Sequence, residues 1–176
     1  DCLLSRGLGD VYKRQIPVYL WLTNDGGAEL KGSVGVQGRE GSIEVLAYDH
    51  GLIIPTDDNS GKLTGTRIHT PFQFTKEIDV SSPYLYKAVS TGQTLKSAQF
   101  RWYHIDDAGN EVEYYNLLLE NVKVVHVKSV MHDVKDPTKA KHNHLEQIQF
   151  RYEKAKWTYV NGNIVHEDSW NERSGS

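Results

Sequence analysis

The side chains most able to do chemistry in this chain are its clustered histidines and its carboxylate-rich turns. His142-Asn143-His144, with His132 ten residues earlier, invites a metal or nuclease reading. Two histidines at i, i+2 share one face of a strand, so joint ligation is geometrically open to them. No carboxylate or cysteine stands at a ligand spacing, however, and Pro137 and Lys139–Lys141 give the segment a loop's composition. A solvated loop is the expected setting, with no metal or other cofactor.

Asp57-Asp58-Asn59-Ser60-Gly61 hints at a calcium loop, which needs Gly at position 6 and Glu at position 12. Lys62 and Ile68 stand there instead. Gly61-Lys62 hints at a phosphate loop, but Thr56 and Leu63 occupy the places of its first Gly and its Ser/Thr. No Gly-x-Ser-x-Gly elbow marks a serine nucleophile. Phe100–Tyr103 and Arg151–Tyr159 mix aromatic and basic residues, a pattern that can stack on single-stranded nucleic acid. On alternating strands the same mixture puts aromatics inside and charges in solvent. With a net charge of −3 the chain has no broad pull on nucleic acid. No enzymatic reaction is expected. The alternatives kept open are a small His-dependent hydrolase and a monomeric ligand-binding barrel.

The elements that must position these residues read as strands. The 176 residues are 38% apolar and 24% charged, which suits one globular domain with its own core. No apolar run reaches the ~18–20 residues of a membrane-spanning helix, so no membrane partner is expected. One cysteine, Cys2, excludes an internal disulfide framework.

Asp1–Gln15 does not read as the start of a fold. It lacks a signal peptide's apolar stretch, and Ser5–Gln15 (SRGLGDVYKRQ) resembles the translation of a transposase adapter from sequencing libraries. Asp10–Gln15 fits GAT GTG TAT AAG AGA CAG codon for codon. The segment is therefore read as an assembly artifact. Setting it aside removes three basic and two acidic residues and takes the net charge from −3 to −4. Residues 16–173 are then one domain and 174–176 a frayed tail.

Within that domain Ile16–Leu22 is a short apolar strand, ended by the turn Asn24-Asp25-Gly26-Gly27. Ser42–Tyr48 alternates, with Ile43, Val45 and Ala47 on one face. Arg67–Ile78, Leu95–Ile105, Glu111–Tyr115 and Val122–Val130 are further strand-like runs, and Ile148, Phe150 and Tyr152 alternate cleanly. Asn161-Gly162 signals a two-residue type I′ turn between Trp157–Val160 and Ile164–His166. One helix interrupts: Ser82 as N-cap, Pro83 in the first turn, Gly92 at the end, and Leu85, Ala88 and Val89 facing the core. The expected fold is mainly β, a small barrel or sandwich of antiparallel strands with one short α-helix packed alongside.

The stretch Gly61–Tyr103 (GKLTGTRIHTPFQFTKEIDVSSPYLYKAVSTGQTLKSAQFRWY) closely resembles the Hcp, or haemolysin-coregulated protein, family. The pattern is carried by Arg67, His69, Pro71, Lys76, Asp79, Ser82, Pro83 and Leu85. Further matches are Gly41–Leu46, Met131–Pro137, His144–Tyr159 and Asp168–Glu172. Members usually begin just before an Ile-Pro-like start, which fits Ile16-Pro17 and the artifact reading. The resemblance implies the tube subunit of a bacterial type VI secretion system. It further implies that six copies form a ring, that rings stack into a hollow tube completed by sheath and spike proteins, and that the lumen is able to carry small effectors. Synthesis in the bacterial cytoplasm and export through the apparatus, without a signal peptide, are implied as well, as are roles in virulence and interbacterial competition. The Pro55–Thr66 loop resembles the family's extended loop, which reaches towards the next ring. Asp57, Asp58, Lys62, Arg67, His69, Lys76 and Asp79 are the assembly candidates. Arg67, Lys76 and Asp79 are expected to form one polar network fixing loop and helix near an interface.

Overall fold

In the computed structural model, which describes residues 16–170, the alternating apolar pattern becomes twelve strands. The proposed artifact 1–15 and tail 174–176 lie outside the described residues. The strands are β1 (Val18–Thr23), β2 (Glu29–Leu30), β3 (Ile43–Val45), β4 (Ala47–Asp49), β5 (Leu52–Ile53), β6 (Ile68–His69) and β7 (Phe72–Glu77). After the helix α1 (Ser82–Thr91) follow β8 (Thr94–Ile105), β9 (Glu111–Val130), β10 (Leu145–Arg151), β11 (Lys154–Tyr159) and β12 (Ile164–Ser169). Every pairing is antiparallel, as a meander of hairpins dictates.

The run β1–β8–β9–β10–β7–β4 closes on itself through one residue. β3 pairs with β1, the chain passes Leu46, and β4 pairs with β7. The Leu46 N–H donates to Thr75 O at 2.8 Å, at the crossing point. This is why Ser42–Tyr48 does not keep one face as expected. Ile43 and Val45 are buried, whereas Ala47 belongs to the next strand and is exposed. Closure removes two sheet edges that would otherwise need cover.

The barrel is filled by side chains. Leu20, Leu22, Ile43, Phe72, Phe100, Leu119 and Phe150 have no solvent exposure. Phe72 stacks on Phe100 with ring centroids 4.1 Å apart, and Phe74 meets Phe150 edge-on at 5.0 Å. Each such buried ring contributes roughly 1.5–3 kcal/mol of transfer free energy. The helix closes one side with Leu85 and Ala88 buried and Val89 partly so.

Glu111–Tyr115 and Val122–Val130, separate in sequence, are one strand of 20 residues. Leu117 and Leu119 carry the alternation between them. At Asn121 the backbone takes φ 52°, a conformation Asn tolerates better than most residues. There β9 changes partner, from β11 up to Glu120 to β10 from Lys123 on. The β11–β12 turn also differs from expectation. Pairing ends at Tyr159↔Ile164, leaving a four-residue loop whose left-handed residues are Gly162 and Asn163, so no two-residue type I′ turn forms. Gly32 is needed for close approach: a Cβ there would stand 2.4 Å from Ser42 O.

Candidate functional site

The histidine cluster is placed in the irregular segment between β9 and β10, not on a strand. His132 and His142 have ring centroids 4.8 Å apart, and His142 and His144 are exposed. Among the described residues no group of three or more His, Cys, Asp or Glu could hold a metal ion.

Asp57, Asp58 and Lys62 lie at the tip of a hairpin arm that runs from Gly51 to Thr70. Leu52 pairs with His69 and Ile53 with Ile68 in a two-stranded sheet of their own. Thr56 bridges Leu63 further out, and the Asp57 N–H donates to Lys62 O at 2.8 Å. At the tip the Asp57 carboxylate accepts from the Ser60 hydroxyl at 2.6 Å and from the Asn59 N–H at 3.2 Å. That hydroxyl, first, and the backbone donor, second, hold Asp57 below the usual carboxylate range. The tip is thus an ordered turn, in which Asp58 and Lys62 are exposed. Leu52, Ile53, Ile54, Leu63 and Ile68 are 43–68% exposed along the arm.

At the arm's base the chain buries polar groups. His69 is 1% exposed. Its Nε2 lies 2.6 Å from Asp168 Oδ2 on β12, and its Nδ1 lies 2.6 Å from the phenol oxygen of Tyr152, just past β10. His50, which opens the arm, places its Nε2 2.6 Å from the same phenol oxygen. Arg67 Nε donates to Asp168 Oδ2 at 2.5 Å, and Arg67 Nη2 donates to Ser169 O at 2.7 Å. Arg151 Nη1 donates to His69 O at 3.0 Å, and Trp170 covers His69 with centroids 5.0 Å apart. Burial and the Asp168 carboxylate push the Tyr152 phenol up. Hydrogen bonds from Arg67 and His69 outweigh the opposing desolvation and hold Asp168 low. The Asp-His-Tyr sequence copies the layout of an activated nucleophile. Tyr152 is only 7% exposed, so the phenol oxygen is not presented to a substrate.

Lys76 and Asp79 belong to a second, separate cluster under α1. Lys76 has no solvent exposure, so it is not an ordinary surface charge. Its Nζ donates to Glu77 O at 2.9 Å, Asp79 Oδ1 at 3.0 Å and Ser82 Oγ at 3.2 Å, and lies 2.9 Å from Glu146 Oε2. Ser82 Oγ in turn donates to Glu146 Oε2 at 3.0 Å and accepts from the Asp79 N–H. The helix therefore does not start as predicted. Ser81 occupies the N-cap with its hydroxyl turned to Asp79, and Ser82 spends its hydroxyl on the buried ion cluster. Gly92 ends the helix as expected, at φ 67° with its N–H on Ala88 O.

The candidates thus split into two networks rather than one. Lys76 and Asp79 meet each other, whereas Arg67 and His69 meet Asp168. Sequence reasoning passed over Glu146, Tyr152 and His50. The signal for Glu146 was present: it shares a strand face with Ile148, Phe150 and Tyr152, all buried. Lys76 likewise follows Phe72 and Phe74 at period two, directly opposite Glu146 in the register. A charge on an apolar strand face calls for a partner.

The chain is similar to known proteins in sequence and in fold. The family model described as "Type VI secretion system effector, Hcp" matches residues 19–159. The "Major exported protein" of Pseudomonas aeruginosa is 35% identical over 163 residues, covering 88% of this chain and 95% of that protein. A solved structure of Hcp1 from E. coli EAEC 042 is 71% identical with a TM-score of 0.81, over 88% of this chain and 99% of that one. The secreted protein Hcp3 of Pseudomonas aeruginosa is 27% identical with a TM-score of 0.73, over 89% of this chain and 99% of that one. A family model matching residues 19–159, and relatives matched over nearly their whole length, place this chain in the Hcp family of the type VI secretion system.

Proposed function

We propose that this chain is the structural subunit of a type VI secretion tube, made in the bacterial cytoplasm and exported through the apparatus. Six copies close into a ring, rings stack into a hollow tube, and the lumen carries small effectors. Sheath and spike proteins are its partners in that machine. No reaction is assigned to it.

One observation carries the reading. The Gly51–Thr70 arm is fixed at its base by buried polar groups, yet Leu52, Ile53, Ile54, Leu63 and Ile68 remain exposed along it. An ordered apolar projection of this kind marks a surface that meets another chain. A ring of identical subunits uses head-to-tail contacts between two different patches, and the arm supplies a further contact along the stacking axis. The ligand-binding barrel is disfavoured by an interior filled with Leu20, Phe72, Phe100 and Phe150.

Deleting Asp57–Lys62 should abolish tubes in negative-stain images while leaving single rings. Unchanged tube formation would rule out the arm as the stacking element.

A further inference from the structure

The base of the arm is a line of hydrogen bonds whose directions follow from where the protons sit. Asp168 accepts from Arg67 and is held ionised, so His69 Nε2 carries the proton that bonds it. In neutral His69 the Nδ1 then accepts from the Tyr152 hydroxyl, and the phenol oxygen accepts from His50 Nε2–H. All three bonds are made in one direction, from His50 through Tyr152 and His69 to Asp168.

One added proton can be absorbed. With His69 doubly protonated beside Asp168, its Nδ1–H donates to the phenol oxygen. The phenol proton then turns to His50 Nε2, whose own proton moves to Nδ1. A second added proton has no such solution. Both imidazoles then aim an N–H at the same oxygen, the phenol proton loses its acceptor, and two cations flank one hydroxyl. Like charges across one buried group are costly.

We propose that this chain of side chains is an acid-sensitive latch, which holds the arm to the barrel with up to one added proton and releases it with two. Its placement fits that role. His50 immediately precedes the first leg of the arm and His69 lies on the second, while Tyr152 and Asp168 belong to the body. The charged and titratable groups facing it are Asp49 from β4, Arg67 beside β6, Arg151 from β10, and His166 from β12 across Trp157. Burial, first, and the neighbouring His69, second, hold His50 down to about 4, with Asp49 opposing. Release therefore belongs to the acid range, below the ordinary titration of a histidine. The latch does not depend on what the arm docks against, and its test reads the arm directly.

The measurement is amide hydrogen exchange by mass spectrometry on the full chain, from pH 7.5 to pH 4, corrected for intrinsic exchange at each pH. Peptides from the arm are expected to lose protection about tenfold or more towards pH 4, while β8 peptides keep theirs. In His50→Gln the amide can donate to or accept from Tyr152, so the arm should stay protected at pH 4. Tyr152→Phe removes the shared oxygen and should expose the arm already at pH 7.5. Wild-type arms still protected at pH 4, equal loss in His50→Gln, or a fully protected arm in Tyr152→Phe at neutral pH would each overturn the latch.

Discussion

The two buried polar clusters solve the same problem with different chemistry. Under the helix, Lys76 answers two carboxylates with a flexible ammonium that makes four short contacts. At the arm, Arg67 and Asp168 anchor a line of two imidazoles and a phenol whose bonds depend on which proton sits where. The first cluster ties β7, β10 and α1 into one body. The second ties a projecting hairpin to that body by groups that can be unmade. A fixed ion cluster suits the part that must hold its shape, and a protonatable one suits an arm that is proposed to engage a neighbour.

Removing Lys76 is expected to have the largest effect. Lys76→Ala leaves the buried Glu146 and the half-buried Asp79 without their cation, a loss of about 3–5 kcal/mol. Urea unfolding of the whole domain would show it. Lys76→Met keeps the stem's packing but not the charge and should fall in the same direction. A stability change under about 1 kcal/mol in Lys76→Ala would mean that water replaces the ammonium.

Tyr152→Phe ranks next. It strands two imidazole nitrogens, a cost of about 1–3 kcal/mol by the usual penalty for an unsatisfied buried group. The β8 and β9 core should be spared in exchange experiments, because the loss is local to the arm. A uniform loss through the barrel would erase the distinction between the clusters.

The pH dependence sharpens the contrast further. Folding depresses the His50 pKa from 6.5 to about 4, so between those values the unfolded chain binds more protons than the native one. The stability present above pH 6.5 is therefore lost progressively as pH falls to about 4. His50→Gln should flatten that slope in denaturation series at several pH values, whereas Lys76→Met should keep it. The smallest effect is expected on β12. Glu167 pairs with Lys154 at 2.9 Å and Lys156 at 3.5 Å in solvent, and Glu167→Gln should leave the unfolding midpoint where it is.

Much of the fold was legible because period-two alternation names the strands. Phe72-x-Phe74-x-Lys76 and Glu146-x-Ile148-x-Phe150-x-Tyr152 show their inner faces without a structure. The barrel's closure at Leu46 was not legible, since a change of partner strand leaves the same alternation in the chain. Nor was the split of the candidates. Arg67, Lys76 and Asp79 are near in sequence, but Asp168 and Glu146 draw them to different places, and register decides that. Ser82 misled for a physical reason. A serine beside Pro83 is an ordinary cap, and only the buried Lys76–Glu146 pair claims its hydroxyl.

Ring assembly is tested by the solution mass of the chain, read by light scattering with negative-stain images of the same sample. A particle of about six times 20.0 kDa, seen as rings, is the expected result. A 20.0 kDa monomer at high concentration would contradict it.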